Sequence, residues 1–173
     1  MPLWLFVIIV ILWLALLPTA YAGLIGAPYA PTRRPVVKKA FQKFNVGEDD
    51  VVVDLGSGDG SILLEATARG AKALGYELSP IMWLVSKFRG ANVKYANFYK
   101  QTLPEDTTVV FAFLMPKIMP RIVKYLRKQK LPHGKLFMAY TFPLPQDITP
   151  LTIIRENKCG PIYVYDLKEL TTV

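Results

Sequence analysis

Val51-Val52-Val53-Asp54-Leu55-Gly56-Ser57-Gly58-Asp59-Gly60 decides how this chain folds. A run of β-branched valines predicts a strand buried on both faces. The strand breaks into a turn in which glycine recurs at every second position, and 61–69 then reads as a helix stopped by Gly70. Strand, glycine-rich turn and helix, in that order, open a doubly wound α/β sheet. Glycine lets the backbone adopt positive φ and come close to a ligand. Amides left free at the helix start would favour a negatively charged ligand group.

Working outward, apolar residues at 36, 37, 40, 41 and 44 have helical spacing, and 46–50 is the turn into the first strand. Residues 72–77 form a second strand. Ser79 caps the next helix, with Pro80 in its first turn, and that helix runs to position 88. Residues 93–96 and 108–113 read as strands three and four. Residues 115–130 are helical but interrupted by Pro120, so the regular part starts there, and Leu131-Pro132-His133-Gly134 is a turn. A fifth strand covers 135–141, and 151–157 with 162–167 read as a closing antiparallel pair around Lys158-Cys159-Gly160-Pro161. This alternation predicts a mostly parallel, Rossmann-like seven-stranded α/β sheet with helices on both faces.

The 173 residues carry a net charge of +8, with 52% hydrophobic and 20% charged residues. That length suits one domain plus a short appendage. Cys159 is the single cysteine, which excludes an intrachain disulfide and a multi-cysteine zinc site. No stretch has metal-ligand spacing, so no metal is expected. A basic balance is compatible with nucleic acid, an anionic membrane surface or an acidic partner.

No ionisable side chain except Tyr21 and Tyr29 precedes Arg33, and 3–17 is almost wholly Leu, Ile, Val, Phe and Trp. At about 1.5 Å per residue this run reaches roughly 22 Å, short of a hydrocarbon core of about 30 Å. Extension through Pro18 to Ala22 closes the gap with a bend at the proline, and Trp4 and Tyr21 mark the two interfaces. Residues 1–24 are therefore expected to be a transmembrane anchor, 25–35 a linker and 36–173 the enzyme domain. Ala20-Tyr21-Ala22 also has the form of a signal-peptide cleavage site. The cations follow the apolar core instead of preceding it: Arg33, Arg34, Lys38, Lys39 and Lys43. By the positive-inside rule this places the domain on the cytoplasmic face of a single-pass protein.

The turn spacing is Gly-x-Gly-x-Gly, not the Gly-x-Gly-x-x-Gly of dinucleotide binders. Asp54 would repel a pyrophosphate but could hold an ammonium group. A ligand with an ammonium, a carboxylate and a nucleoside fits S-adenosylmethionine better than NAD. Glu77 lies 21 residues past Gly56, where an acid at the second strand end would take ribose hydroxyls.

With Asp54, Gly56, Gly58 and Gly60 in its acid-x-Gly-x-Gly-x-Gly positions, the segment resembles motif I of the seven-β-strand class I methyltransferases. The likeness extends through Pro28-Tyr29-Ala30-Pro31-Thr32, Gly75-Tyr76-Glu77-Leu78-Ser79-Pro80, Ala96-Asn97-Phe98-Tyr99 and Thr141-Phe142-Pro143-Leu144-Pro145. In this order the motifs resemble the small protein-lysine methyltransferases that include the mitochondrial enzymes acting on the ATP synthase c-subunit and on the adenine nucleotide translocase. The resemblance implies that Asp54, Gly56 and Gly58 border the methionine end of S-adenosylmethionine, Glu77 binds ribose and Asn97 lies near adenine. Ser57, Gly60, Leu78 and Phe98 complete the implied cofactor set. Tyr29 and Thr32 would close over the cofactor or line a lysine channel, and Thr141 and Phe142 would stand at the substrate entrance with Met115 and Pro116. Several relatives have an acid near Asn97.

The resemblance implies a protein substrate, and the anchor makes a membrane-associated one the expectation. Tyr140 and Phe142 are candidates for an aromatic channel or for plain core. The basic run 121–130 could contact phosphates, but reads more readily as a solvated or membrane-facing face. An amino-methylating nucleic-acid enzyme would carry Asn/Asp-Pro-Pro-Tyr/Phe after strand four, where this chain has Phe113-Leu114-Met115-Pro116. Nucleic acid is thus not the expected partner. A lipid or quinone methyltransferase, or a scaffold that kept the fold, stays open on the sequence.

Overall fold

The computed structural model describes residues 1–25 and 32–171. A helix α1 (Leu3–Ile25) is followed by α2 (Arg34–Lys43), β1 (Val51–Leu55), α3 (Ser61–Thr67), β2 (Lys72–Glu77) and α4 (Pro80–Phe88). Then come β3 (Val93–Tyr95), β4 (Val109–Ala112), α5 (Met119–Leu126), β5 (Leu136–Tyr140), β6 (Thr152–Ile154), β7 (Ile162–Asp166) and α6 (Leu167–Thr171). The strands form one seven-stranded sheet in the order β3-β2-β1-β4-β5-β7-β6. β1 to β5 pair in parallel, and β7 runs antiparallel between β5 and β6.

Side-chain alternation splits the core between the two faces of the sheet. Val109 and Phe111 of β4 and Leu136 and Met138 of β5 pack under α2 and α3, with Val36, Val37, Ala40 and Phe41. The intervening Val110, Ala112, Phe137 and Ala139 face α5 and α6, against Ile122, Leu126, Leu167 and Leu170. The buried Asp50 ties together the starts of three strands. Its carboxylate accepts from the Gly47 amide at 3.1 Å, the Thr108 hydroxyl at 2.8 Å and the Lys135 ammonium at 2.9 Å. Burial opposes its charge, but the Lys135 and Thr108 hydrogen bonds outweigh that and hold its pKa below the usual carboxylate value.

Three expectations change. Residues 115–130 are not one interrupted helix: a 3₁₀ turn, Pro116–Ile118, leads into α5 at Met119. Both prolines stand in first turns, where a missing N–H costs nothing, so the regular helix opens around Pro120, where the sequence reading placed its start. The segment 151–157 is extended only over Thr152–Ile154. And 167–171 turns helical, burying Leu167 and Leu170, a stretch too short to show a period.

α1 is long and apolar enough to cross a membrane over Leu3–Tyr21, and none of that window is buried in the protein. The helix continues through position 18, where a bend was expected. Near its end the Thr19 hydroxyl lies 3.2 Å from that of Ser79, which caps α4.

Candidate active site

Parallel pairing puts the carboxyl ends of β1 to β5 on one side of the sheet, the side where ligands bind in open α/β folds. Asp54 and the glycine turn leave β1 there, next to the end of β2. The turn is shaped by positive φ: +82° at Gly56 and +76° at Gly60, conformations that L side chains rarely adopt. Gly75 of β2 pairs with Asp54. A Cβ on Gly75 would stand 2.6 Å from Ser57 and from Leu63, so only glycine lets the turn lie against β2. Ser57 is buried there, facing β2, and its hydroxyl has no hydrogen-bond partner among the described residues.

Glu77 fastens the turn. One carboxylate oxygen accepts from the Gly58 amide at 2.8 Å, and the other from the amides of Leu78 at 2.8 Å and Ser79 at 2.7 Å. A carboxylate has about four lone-pair sites, so roughly one stays available to a ligand hydroxyl. Glu77 thus positions the loop as well as facing the site, a role that spacing alone did not reveal.

Several of the amides expected to be free are already used. Gly56 and Ser57 both donate to the Tyr76 carbonyl at 3.0 Å, and Gly60 donates to the Ser57 carbonyl at 2.9 Å. The Ser61 amide and hydroxyl both donate to Asp59. Fewer amides of the turn are thus left for an anion than its glycines suggested. Asp59 also pairs with Arg89 at the end of α4. Burial opposes the charge on Asp59, but the Ser61 hydrogen bonds and Arg89 hold its pKa below the usual value.

Asp54 is in the opposite position. It is 3% exposed. Burial, then the neighbouring Glu77 and Asp59 carboxylates, raise its pKa well above the usual carboxylate range, with no hydrogen bond acting the other way. A cation beside Asp54 would reverse that penalty. Acidic residues crowded around a turn with several amides already used suit an ammonium group, as S-adenosylmethionine has, and not a pyrophosphate. The residues present fit that cofactor.

Asn97 lies half-buried after β3. Its side-chain oxygen accepts from the Tyr99 amide at 3.0 Å and caps a 3₁₀ turn, a bond that does not use its NH₂. Phe98 sits in the core, with its ring 5.7 Å from that of Tyr125, and Leu78 offers a half-buried side chain next to Glu77. Tyr29 lies outside the described residues. Thr32 is half-buried just ahead of α2.

At the ends of β4 and β5 the rings of Phe113 and Phe142 stack at 6.5 Å and 27°, and Tyr140 meets Phe113 edge-on at 4.7 Å. Tyr140 is buried and its hydroxyl accepts from the Gly160 amide at 3.2 Å, so it is core that supports the pair. Phe113 was not singled out from the sequence. Its place directly after β4, where amino-methylating nucleic-acid enzymes carry a Pro-Pro motif, was the available signal. Thr141 has φ +69°. The Phe142 amide donates to the Tyr140 carbonyl across it at 2.8 Å, closing a strained γ-turn. That turn redirects the chain so that Phe142 reaches Phe113.

A family model described as the ANTKMT methyltransferase domain matches residues 54–151. The chain is 32% identical over 150 residues to the ATP synthase c-subunit lysine N-methyltransferase of Xenopus laevis, covering 81% of this chain and 63% of that protein. It is 28% identical to a protein-lysine N-methyltransferase of Saccharolobus islandicus (strain REY15A), covering 82% of this chain and 94% of that one. Among solved structures, the fold is similar to an RNA methyltransferase from Salinibacter ruber in complex with S-adenosyl-L-homocysteine. That likeness has a TM-score of 0.72 and 24% identity, covering 80% of this chain and 94% of the other. The chain therefore spans under two thirds of the length of the Xenopus laevis relative.

Proposed function

We propose, from the premise that this chain belongs to the family of the ANTKMT methyltransferase domain, that it transfers a methyl group from S-adenosylmethionine to the side-chain amine of a lysine in a membrane-associated protein. The observation that carries this reading is the buried, crowded Asp54 carboxyl at the end of β1, beside a turn that Glu77 holds against β2. The lysine acceptor and the protein substrate come from the relatives' activities, and the membrane association from α1. In this reading α1 spans the membrane once and the basic flank keeps the domain on the cytoplasmic face. Residues 1–24 are the anchor, 25–35 the linker and 36–173 the enzyme domain.

When bound, S-adenosylmethionine supplies a methyl group on a sulfonium that needs no further activation. Asp54 holds its ammonium group, Glu77 takes a ribose hydroxyl on its remaining lone pair, and the Asn97 amide donates toward adenine. The acceptor amine must arrive uncharged, against an ordinary lysine pKa of about 10.4. Phe113 and Phe142 exclude water around the entering chain, which lowers the lysine pKa by desolvation and holds the amine in line with the methyl group. Met115, Pro116, Thr141 and Thr32 border the same entrance.

Calorimetric titration of the full chain with S-adenosylmethionine tests the assigned site. Asp54→Ala and Glu77→Ala should each bind roughly 10- to 100-fold more weakly, the loss expected for a hydrogen bond to a charged group. Unchanged affinity in both variants would refute the assignment.

A further inference from the structure

The two ends of the domain differ in their charge balance. Arg33, Arg34, Lys100, Lys117, Arg121 and Lys158 are exposed around the mouth of the site, at the carboxyl ends of the parallel strands. Arg33 and Arg34 belong there because Lys39, one turn further along α2, reaches Arg155 and Glu156 in the turn beyond β6. Arg121 lies 5.2 Å over the ring of Tyr99, just past β3. None of the six forms an ion pair among the described residues. The acids at this end are committed elsewhere: Asp54 and Glu77 are buried in the site, Asp59 pairs with Arg89, and Glu156 pairs with Lys39. The exposed acids Glu48, Asp49, Glu105 and Asp106 lie at the opposite end, ahead of β1 and β4, and Glu169 follows β7 there, so the exposed Lys72, Lys135 and Lys168 of that end stand among acids. Asp147 is exposed in the loop that leads away from β5.

α1 meets the domain at this same basic end, through Thr19 and Ser79 at the start of α4. We infer that the site-bearing end of the domain docks on an anionic lipid surface, so that the methyl-transfer site opens onto the bilayer interface. The occupant is a layer of anionic headgroups because the cations form a rim rather than a pocket, and because an apolar helix of membrane-spanning length leaves from the same place. Each cation removed should lower the affinity of this end for anionic headgroups by roughly fivefold. The inference rests on the reading of α1 as a membrane anchor, and the experiment separates the two.

The full chain is reconstituted into vesicles of phosphatidylcholine alone or mixed with phosphatidylglycerol. A fluorophore is carried on a single cysteine in a Cys159→Ser background, either at Asn157→Cys beside the site mouth or at His133→Cys at the opposite end. Nitroxide-labelled headgroups should quench the label at 157 in anionic vesicles, less so in neutral ones, and high salt should relieve it. The label at 133 should stay bright. Lys100→Glu, Lys117→Glu and Arg121→Glu together should abolish quenching at 157 while leaving the melting temperature unchanged. Equal quenching at both positions, indifference to anionic lipid, or quenching that needs an added protein would overturn the docking surface. Alkaline carbonate extraction from neutral vesicles reports on α1 separately. Release of the chain there would overturn the anchor, while anionic-dependent quenching at 157 would still support the docking face.

Discussion

An ionised carboxylate at Asp54 is disfavoured by the fold, because burial and two neighbouring carboxylates act against it. The same charge is what an ammonium ligand requires. The folded pKa lies above that of the unfolded chain, so the folded state keeps its proton to higher pH. The stability this contributes is fully present at low pH and is lost as pH rises above about 4. Asp54→Asn should therefore melt higher than the wild type near neutral pH, with the difference closing toward about pH 4, and should bind S-adenosylmethionine roughly tenfold or more weakly. Melting curves across that range check the sign. An unchanged or lower melting temperature near neutral pH would contradict it. At this scale Asp54 and Glu77 were legible in the sequence because their places are set by spacing along the chain. The three amides on Glu77, the strained turn at Thr141 and the Phe113–Phe142 stack were not, because each depends on two segments meeting in space.

Between elements, the tightest constraint is the contact of the glycine turn with β2. Gly75 is extended strand backbone, yet a Cβ there would stand 2.6 Å from atoms of both Ser57 and Leu63. Gly75→Ala should cost about 1–3 kcal/mol of stability, the usual range for overpacking, and should weaken cofactor binding by displacing the turn. A thermal melt together with a calorimetric titration checks both. Full stability with intact binding would show that the turn has room to move. Strand identities and the cap at Ser79 could be read from periodicity and capping residues, since both are local signals. The truncation of the segment at 151–157 and the short α6 could not. They are set by pairing with β7 and by packing against the sheet, not by local pattern.

Over the whole molecule, the order β3-β2-β1-β4-β5-β7-β6 brings every candidate site residue among the described ones toward one end of the sheet. Six exposed cations with no ion pair among the described residues, and the departure of α1, share that end. The net charge of +8 was compatible with nucleic acid, an anionic membrane surface or an acidic partner, but only the topology shows which cations stand around the site. The central claim is methyl transfer to a protein lysine through this site. The most direct test incubates the full chain with membrane fractions and S-adenosylmethionine labelled in its methyl group, with Glu77→Ala in parallel. The account predicts label in a protein band, recovered as methyllysine after hydrolysis and lost in the variant. Label in the lipid extract, or none in either phase, would contradict it.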